Sequence, residues 1–378
     1  MKIINVSARV LRARPERSVV FAAGRYPEFS AVLIQVDTDA GITGYGEAIA
    51  RAGAEAASAA VESFLGPVII GADPANIEGL HKLMVSQLRR FGHAGGVVIE
   101  AISGIDIALW DIAGKAAGRP VRDLLYGAGL SQVPVYASSV YIDAEEAMVA
   151  ETQEQVAAGF TTVKLKCGHS PADGGKHADV AKIAAIRAAV GPEIALGVDA
   201  NSAYDATDAV WVARRFENLD IAFFEEPCHP DDTDGYARVR AQSAIPLAGG
   251  ETLFLSYGFH EYLRRGLLDV VQPDLARCGG ITSARQVATL AQAHRVRFAP
   301  HTGFSGGISQ LAALQVAAAA AELYLLEYMF IDNPLRDIFV GGYPRPANGI
   351  IDVPDGPGLG LELDLDAVDR YTVRGNAG

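Results

Sequence analysis

The sequence predicts an α/β protein: a TIM-like (β/α) barrel with an α+β capping domain formed by the N-terminal region and the C-terminal tail. Three observations predict it. From Val133 to about residue 330, short apolar strands alternate with helical stretches, reading PVYASSV, TTVKLKC, IALGVDA, IAFFEEP, IPLAGGE, DVVQPD, RFAPH and YLLEY. The last seven close on Lys166, Asp199, Glu225, Glu251, Asp274, His301 and Glu327, at steps of 33, 26, 26, 23, 27 and 26 residues. A strand, a helix and two loops need about that length, and eight such units close into a barrel whose strand ends share one mouth. Ahead of them, AVLIQVD (31–37) and ITGYGEA (42–48) alternate as strands do and are joined by Thr38-Asp39-Ala40-Gly41, which is hairpin chemistry. A doubly wound open sheet would gather ligands at one switch point and leave most of these strand ends unused.

In chain order, the N-terminal hairpin is followed by helical apolar spacing from Ala54 to Leu65 and from Ile77 to Gly118, where Gly118 before Pro120 stops the last long helix. Gly44-Tyr45-Gly46 precedes no βαβ unit and is no dinucleotide fingerprint. The composition changes near residue 130, so residues 1–130 are read as the cap and 131–330 as the barrel. Residues 331–378, rich in Pro and Gly at first and then strand-like in NGIIDVPDGPGLGLELD, are read as returning to the cap. A small sheet needs such partners for stability. The apolar run from Leu311 to Leu326 carries Gln315 and Glu322, is too short to span a bilayer, and is read as a buried helix.

With 378 residues, half of them hydrophobic, the chain can bury a large core. A net charge of −13 and a pI near 5.1 argue against nucleic acid or an anionic membrane as partner, so an anionic substrate must meet local positive charge. Cys167, Cys228 and Cys278 have no metal-ligand spacing and fit reduced thiols in the cytoplasm. The N-terminal stretch carries arginines where a secretory signal needs an apolar core, so no export is expected.

The chemistry begins at Lys164-Leu165-Lys166. Side chains alternate along a strand, so the two ammonium groups share a face, and like charges at that spacing should depress a lysine pKa toward that of a general base. Asp199, Glu225 and Glu251 close successive strands and should neighbour one another. Three carboxylates repel unless something neutralises them, and hard oxygen ligands without cysteine or histidine at the same ends fit Mg²⁺. Glu226 should point the other way and only support them. Asn201 shares the face of Asp199 and is placed to bind a substrate oxygen. Across the mouth, Asp274 and His301 stand on adjacent strands; a carboxylate on one ring nitrogen fixes the tautomer and leaves the other free for proton transfer. The seven other histidines fall in helices or loops and receive no role.

These residues, with GIDIALWDIAGK, VKLK, VDAN, FFEEP, GGE, QPD followed by CGG, PH, LLE and PDGPGLG, span nearly the whole chain. Together they resemble the enolase superfamily, in its mandelate racemase and muconate-lactonizing branch. The resemblance implies Mg²⁺ on Asp199, Glu225 and Glu251, with Lys166 as base beside Lys164, the Asp274–His301 dyad opposite, and Glu327 bonded to the substrate carboxylate. It also implies a homo-oligomer and two cap loops, at about 14–30 and 47–56, in which Arg17, Arg25, Tyr26 and Arg51 are substrate-binding candidates. Arginines there suit a polar, hydroxylated or doubly anionic substrate. Asp274 and His301, where other branches carry a lysine after the sixth strand, place the chain nearer mandelate racemase and the acid-sugar dehydratases, and the NPLR stretch, the tail and the loop after His301 look similar to acid-sugar dehydratases and sugar-lactone cycloisomerases.

The expected activity is Mg²⁺-dependent removal of the proton α to a carboxylate of a small molecule, giving a stabilised enolate. Loss of a β-hydroxyl with a proton from His301 makes a dehydratase of an acid sugar, the leading expectation. Reprotonation by His301 makes a racemase or epimerase, and ring opening makes a lactone cycloisomerase. The non-enzymatic alternative is a silent metal-binding barrel.

Overall fold

In the computed structural model, residues 1–373 other than 18, 50 and 128 are described. The cap begins with β1 (Ile3–Ala13), a strand whose mixed burial hides it from simple alternation. A short hairpin, β2 (Val19–Phe21) and β3 (Gly24–Tyr26), follows it. Next come β4 (Phe29–Thr38) and β5 (Thr43–Ile49), joined by the expected turn at residues 38–42. β1, β4 and β5 form an antiparallel sheet with β4 central. The helix Val97–Ala117 lies on β5 so closely that a side chain at Gly46 would overlap the Gly104 carbonyl. The GYG glycines therefore serve backbone-to-backbone packing. The helical spacing read from Ile77 to Gly118 resolves into two helices, Ile77–Arg90 and Val97–Ala117, because Gly92 and Gly96 between them adopt positive φ.

Eight parallel strands follow: β6 (Gln132–Val140), β7 (Thr162–Lys166), β8 (Ala195–Asp199), β9 (Ile221–Glu225), β10 (Leu247–Gly249), β11 (Val270–Val271), β12 (Arg297–Phe298) and β13 (Leu326–Met329). Their order is β12-β11-β10-β9-β8-β7-β6-β13. Phe298 closes the ring, donating its N–H to Glu322 O at 2.9 Å and accepting from Tyr324 N at 2.8 Å. β11 and β12 are shorter than DVVQPD and RFAPH suggested, because Pro273 and Pro300 have no N–H for the ladder. Inside the ring Tyr136, Phe223, Ala248, Val270 and Ala299 form an apolar plug separate from the main core. Side chains one pleat further along, among them Lys164 and Glu225, therefore sit on a dry floor.

The buried helix expected over Leu311–Leu326 runs from Gly307 to Ala319; the residues after it turn into β13. The tail reaches both parts of the molecule. β14 (Ile350–Asp352) pairs antiparallel with β6, and the last described residue, Val373, donates to Val10 O of β1 at 2.8 Å. All three cysteines are free and buried. Among the described residues, no helix is long and apolar enough to cross a membrane.

Candidate active site

The mouth of the barrel is built by period two. On β7, Val163 and Leu165 enter the main core, while Lys164 and Lys166 point into the ring. Lys164 is fully buried, with Nζ 2.8 Å from Glu225 Oε1, 3.0 Å from Glu225 Oε2 and 2.8 Å from Glu327 Oε1. Lys166 is engaged in a short ion pair with Asp199. At Lys164 the like-charge coupling read from Lys-x-Lys is thus not the dominant effect, because its ammonium meets the carboxylates of Glu225 and Glu327. Burial opposes the charge on Lys164, but Glu225 and Glu327 outweigh it and hold the pKa well above the usual lysine value. Lys164 is a permanent cation here.

Asp199, Glu225 and Glu251, at the ends of β8, β9 and β10, are all buried. Burial, then the neighbouring charge of Asp199, push the Glu225 carboxyl up to about 8 despite Lys164. That is the signature of a site short of positive charge. The Asn201 amide nitrogen donates to Asp199 Oδ2 and Glu251 Oε1, each at 3.2 Å, and its buried Oδ1 has no partner. Asn201 and Ser202, at φ 43° and 64°, and Glu226, at φ 38°, hold the sparsely populated left-handed region beside these carboxylates. Glu226 accepts from Ser202 and Thr252, away from the cluster. A carboxylate set with an unpartnered amide oxygen beside it fits a hard divalent cation. By distance alone, ligand atoms of Glu225, Glu251 and His301 lie within 4.8 Å of one another. The imidazole nevertheless offers no lone pair, since Nδ1 faces Asp274 Oδ2 at 2.8 Å and Nε2 is in short contact with Glu251. Asp199, in short contact with Lys166, completes the set of three carboxylates.

His301 is buried at the end of β12, bridged to Asp274 backbone to backbone as well as through the ring. Burial disfavours its cation, but Glu327 and Glu251 prevail and raise its pKa to about 10, so the ring is an imidazolium, a proton donor. Burial raises Glu251 and Glu327 in turn. Arg51 with His301, and His301 with Lys164, respectively more than offset this and keep both ionised. Glu327 also accepts from the Thr302 N–H at 2.7 Å.

Of the cap residues singled out by sequence, Arg51 and Tyr26 reach this region and Arg17 and Arg25 do not. Arg51 Nη2 is 3.1 Å from Glu251 Oε2 and 3.4 Å from Gly303 O, with its guanidinium 5.5 Å from the Phe304 ring. Tyr26 packs on Phe304 at 4.6 Å and its buried hydroxyl has no partner. Arg17 instead pairs with Glu151 on a barrel helix at 2.5 Å, and Arg25 is exposed. Three contributors went unread. Gln272 donates to Glu225 Oε2 at 2.6 Å, and the period-two rule could have found it, two residues before Asp274 on the same face. Arg277, 3.0 Å from Glu100, and Phe304 lie in loops past the strand ends, where no periodicity marks them.

Two family profiles match this chain. "Mandelate racemase / muconate lactonizing enzyme, N-terminal domain" covers residues 5–126, and "Enolase C-terminal domain-like" covers 147–367. A D-galactarolactone cycloisomerase of Agrobacterium fabrum is 36% identical over 383 residues, 98% of this chain and 99% of that one. An arabinonate dehydratase of Saccharolobus solfataricus is 34% identical over 343 residues, 90% of each. Among solved structures, a racemase from Streptomyces coelicolor A3(2) with bound magnesium superposes with a TM-score of 0.90 at 28% identity, covering 98% of this chain and 100% of that one.

Proposed function

Because the chain belongs to the mandelate racemase/muconate lactonizing enzyme family of the enolase superfamily, and is thereby a lyase or isomerase, we propose that it eliminates a β-oxygen from an acid sugar after removing the proton α to its carboxylate. The leading reading is dehydration. The observation that carries it is His301: a buried imidazole whose Nδ1 meets Asp274 Oδ2 at 2.8 Å, across the ring from Lys166. A carboxylate fixing one ring nitrogen leaves the other to pass a proton to a departing oxygen. Ring opening of a sugar lactone is the second reading. It uses the same acid on a ring oxygen, and the full-length likeness to a lactone cycloisomerase favours it specifically.

Asp199, Glu225 and Glu251 would hold Mg²⁺, with Asn201 beside them; the magnesium-bound racemase of the same fold supports this. When bound, the ion supplies charge neutralisation and Lewis-acid polarisation of the substrate carboxylate. Lys166, freed from Asp199, takes the α-proton. Lys164, cationic and anchored by Glu225 and Glu327, faces the oxygen on which negative charge develops. His301 then gives its Nε2 proton to the departing oxygen: the Cα–H electron pair becomes the new C=C bond, and the Cβ–O pair leaves with the proton. The resulting enol tautomerises to a 2-keto acid. Tyr26, Arg51 and the loop bearing Phe304 bound the far side of the substrate.

The test is a set of mono- and diacid sugars and their lactones, incubated with Mg²⁺-loaded protein in deuterated buffer. A 3-deoxy-2-keto acid product, labelled with deuterium, is expected from at least one. No exchange and no product from any of them would favour the silent barrel.

A further inference from the structure

Glu47 lies on β5 of the cap, 2% exposed, in the GYGEA run. Its carboxylate reaches across to the barrel. Oε1 accepts from the Gly306 N–H at 2.6 Å and Oε2 from the Ser309 N–H at 3.2 Å, at the N-terminus of the helix Gly307–Ala319. That helix follows β12, and the segment between carries the acid: His301, Thr302, Gly303, Phe304, Ser305, Gly306. Glu327 pins the near end at Thr302. The far end is held at Ser305 O by Gln310 (2.9 Å) and Asn333 (3.0 Å), and at Gly306 by Glu47, the single charged group among these three. Between the pins, Phe304 adopts φ 62°, costly for a residue with a Cβ, and its ring meets Phe21, Tyr26, Phe29 and Tyr141 of the hairpin, cap sheet and barrel. Gly303 O and the Phe304 ring are also what Arg51 touches.

We propose that Glu47 is a positioning residue for the elimination step: from the cap it fixes the segment Thr302–Gly306, and so sets the aim of His301 and the seat of Arg51 on Phe304. Two further observations support it. Burial pushes the Glu47 carboxyl up to about 7 in spite of the amides it accepts from, so its ionised form does not add folding stability at neutral pH. The cap also treats the other half of the dyad alike, since Ser103 accepts from Gly279 N and Asp106 from Thr282 N, each at 2.8 Å, at the start of the helix Gly280–His294 that follows Asp274. Both helices next to the dyad are gripped by the cap.

The activity arm of the test rests on the proposed elimination; the other arm does not. Glu47→Gln replaces one acceptor with a donor facing Ser309 N–H. Gly306→Ala keeps every partner and suits the backbone (φ −77°, ψ −177°), but places a methyl 2.7 Å from Glu47 Oε2 and displaces the carboxylate. In both variants, backbone amides of a 302–310 peptide should exchange with deuterium at least tenfold faster, read by mass spectrometry. Elimination kcat should fall about ten- to a hundredfold, as for a reacting group misplaced by ~1 Å. α-Proton exchange, which needs Lys166 and not His301, should stay within about twofold. Parallel loss of exchange and elimination with a lower melting temperature would make Glu47 merely structural and overturn the proposal, as would unchanged kcat. If the wild type acts on no acid sugar, the proposed function fails, and unaltered protection of the 302–310 amides would separately refute the anchoring.

Discussion

Replacing Glu47 by Gln should change how stability depends on pH, by an amount the structure sets. A carboxyl whose folded pKa is raised from 4.5 to about 7 stays protonated in the folded chain over a range where the unfolded chain has released its proton. The sign follows from linkage: below pH 4.5 the group contributes nothing, stability falls as pH rises toward 7, and the loss is constant above. At 1.36 kcal/mol per pH unit of separation, the loss accrued between pH 5 and pH 8 is about 2.5 kcal/mol. With an unfolding entropy of about 2.1 cal/mol/K per residue, a chain of 378 residues should lose about 3 °C of melting temperature over that interval through Glu47 alone. Asp106, Asp111 and Glu100 are pushed up by burial as well, so the wild-type slope contains more than one group, and the comparison with Glu47→Gln isolates this one. Calorimetric scans of both proteins in chelator, at half-unit steps, read it directly. The wild type should fall about 3 °C more than the variant. Curves that run parallel would refute the argument, showing that the amides of Gly306 and Ser309 fully compensate the burial of the charge.

Three other outcomes are expected. Exhaustive chelation should abolish turnover, and Glu225→Gln should weaken Mg²⁺ binding by at least tenfold in a calorimetric titration while leaving the circular dichroism spectrum intact; full turnover in chelator would remove the metal from the reaction. Lys164→Met should cost about 3–5 kcal/mol in metal-free protein, measured by denaturant unfolding, because the ionised Glu327 loses its buried counter-charge; a loss under about 1 kcal/mol would mean that Glu327 is neutral. His301→Asn should still wash deuterium into the α-position through Lys166 yet form little product, whereas Lys166→Ala should lose both, as NMR of recovered substrate would show.

Much of the barrel and its mouth was legible because both obey short periods. The βα repeat marked the strands, and alternation put Lys164, Lys166, Asp199, Glu225, Glu251, Asp274, His301 and Glu327 on one surface. What alternation cannot give is which charge meets which. Lys164 and Lys166 are two residues apart in sequence, yet the carboxylates they meet come from 61 and 33 residues away, Glu225 and Asp199. A rule built on adjacency sees only the like charge next door and not the carboxylates that hold Lys164 up. β1 was missed for a related reason: half-buried on both faces, between the sheet and the tail, it has no clean polar side. Arg17 and Arg25 illustrate the reverse, since a loop's address in sequence does not say which of its long side chains turn inward.

The same limit explains why Glu47 lay unread in a stretch whose glycines were noticed. Its partners, Gly306 and Ser309, are 259 and 262 residues downstream, and they are backbone amides, which carry no side-chain identity a sequence could display. A carboxylate on an apolar strand of the cap is, by pattern alone, a residue at the wrong position, since its neighbours Ala48 and Ile49 are fully buried and so is it. A charged residue out of pattern in a buried strand calls for a donor set from elsewhere in the molecule. In a chain whose cap must sit on a barrel mouth, helix N-termini at that mouth are the donors within reach, because the first amides of a helix have no partner inside it. Glu47 at one N-terminus and Asp106 at the next meet that requirement, which ties the cap to the strand ends that carry His301 and Asp274. If that tie is functional, exchanging the cap for one lacking a carboxylate at position 47 should impair elimination more than α-proton exchange, even where the new cap binds the substrate equally well; equal impairment of both would show that the cap contributes binding alone.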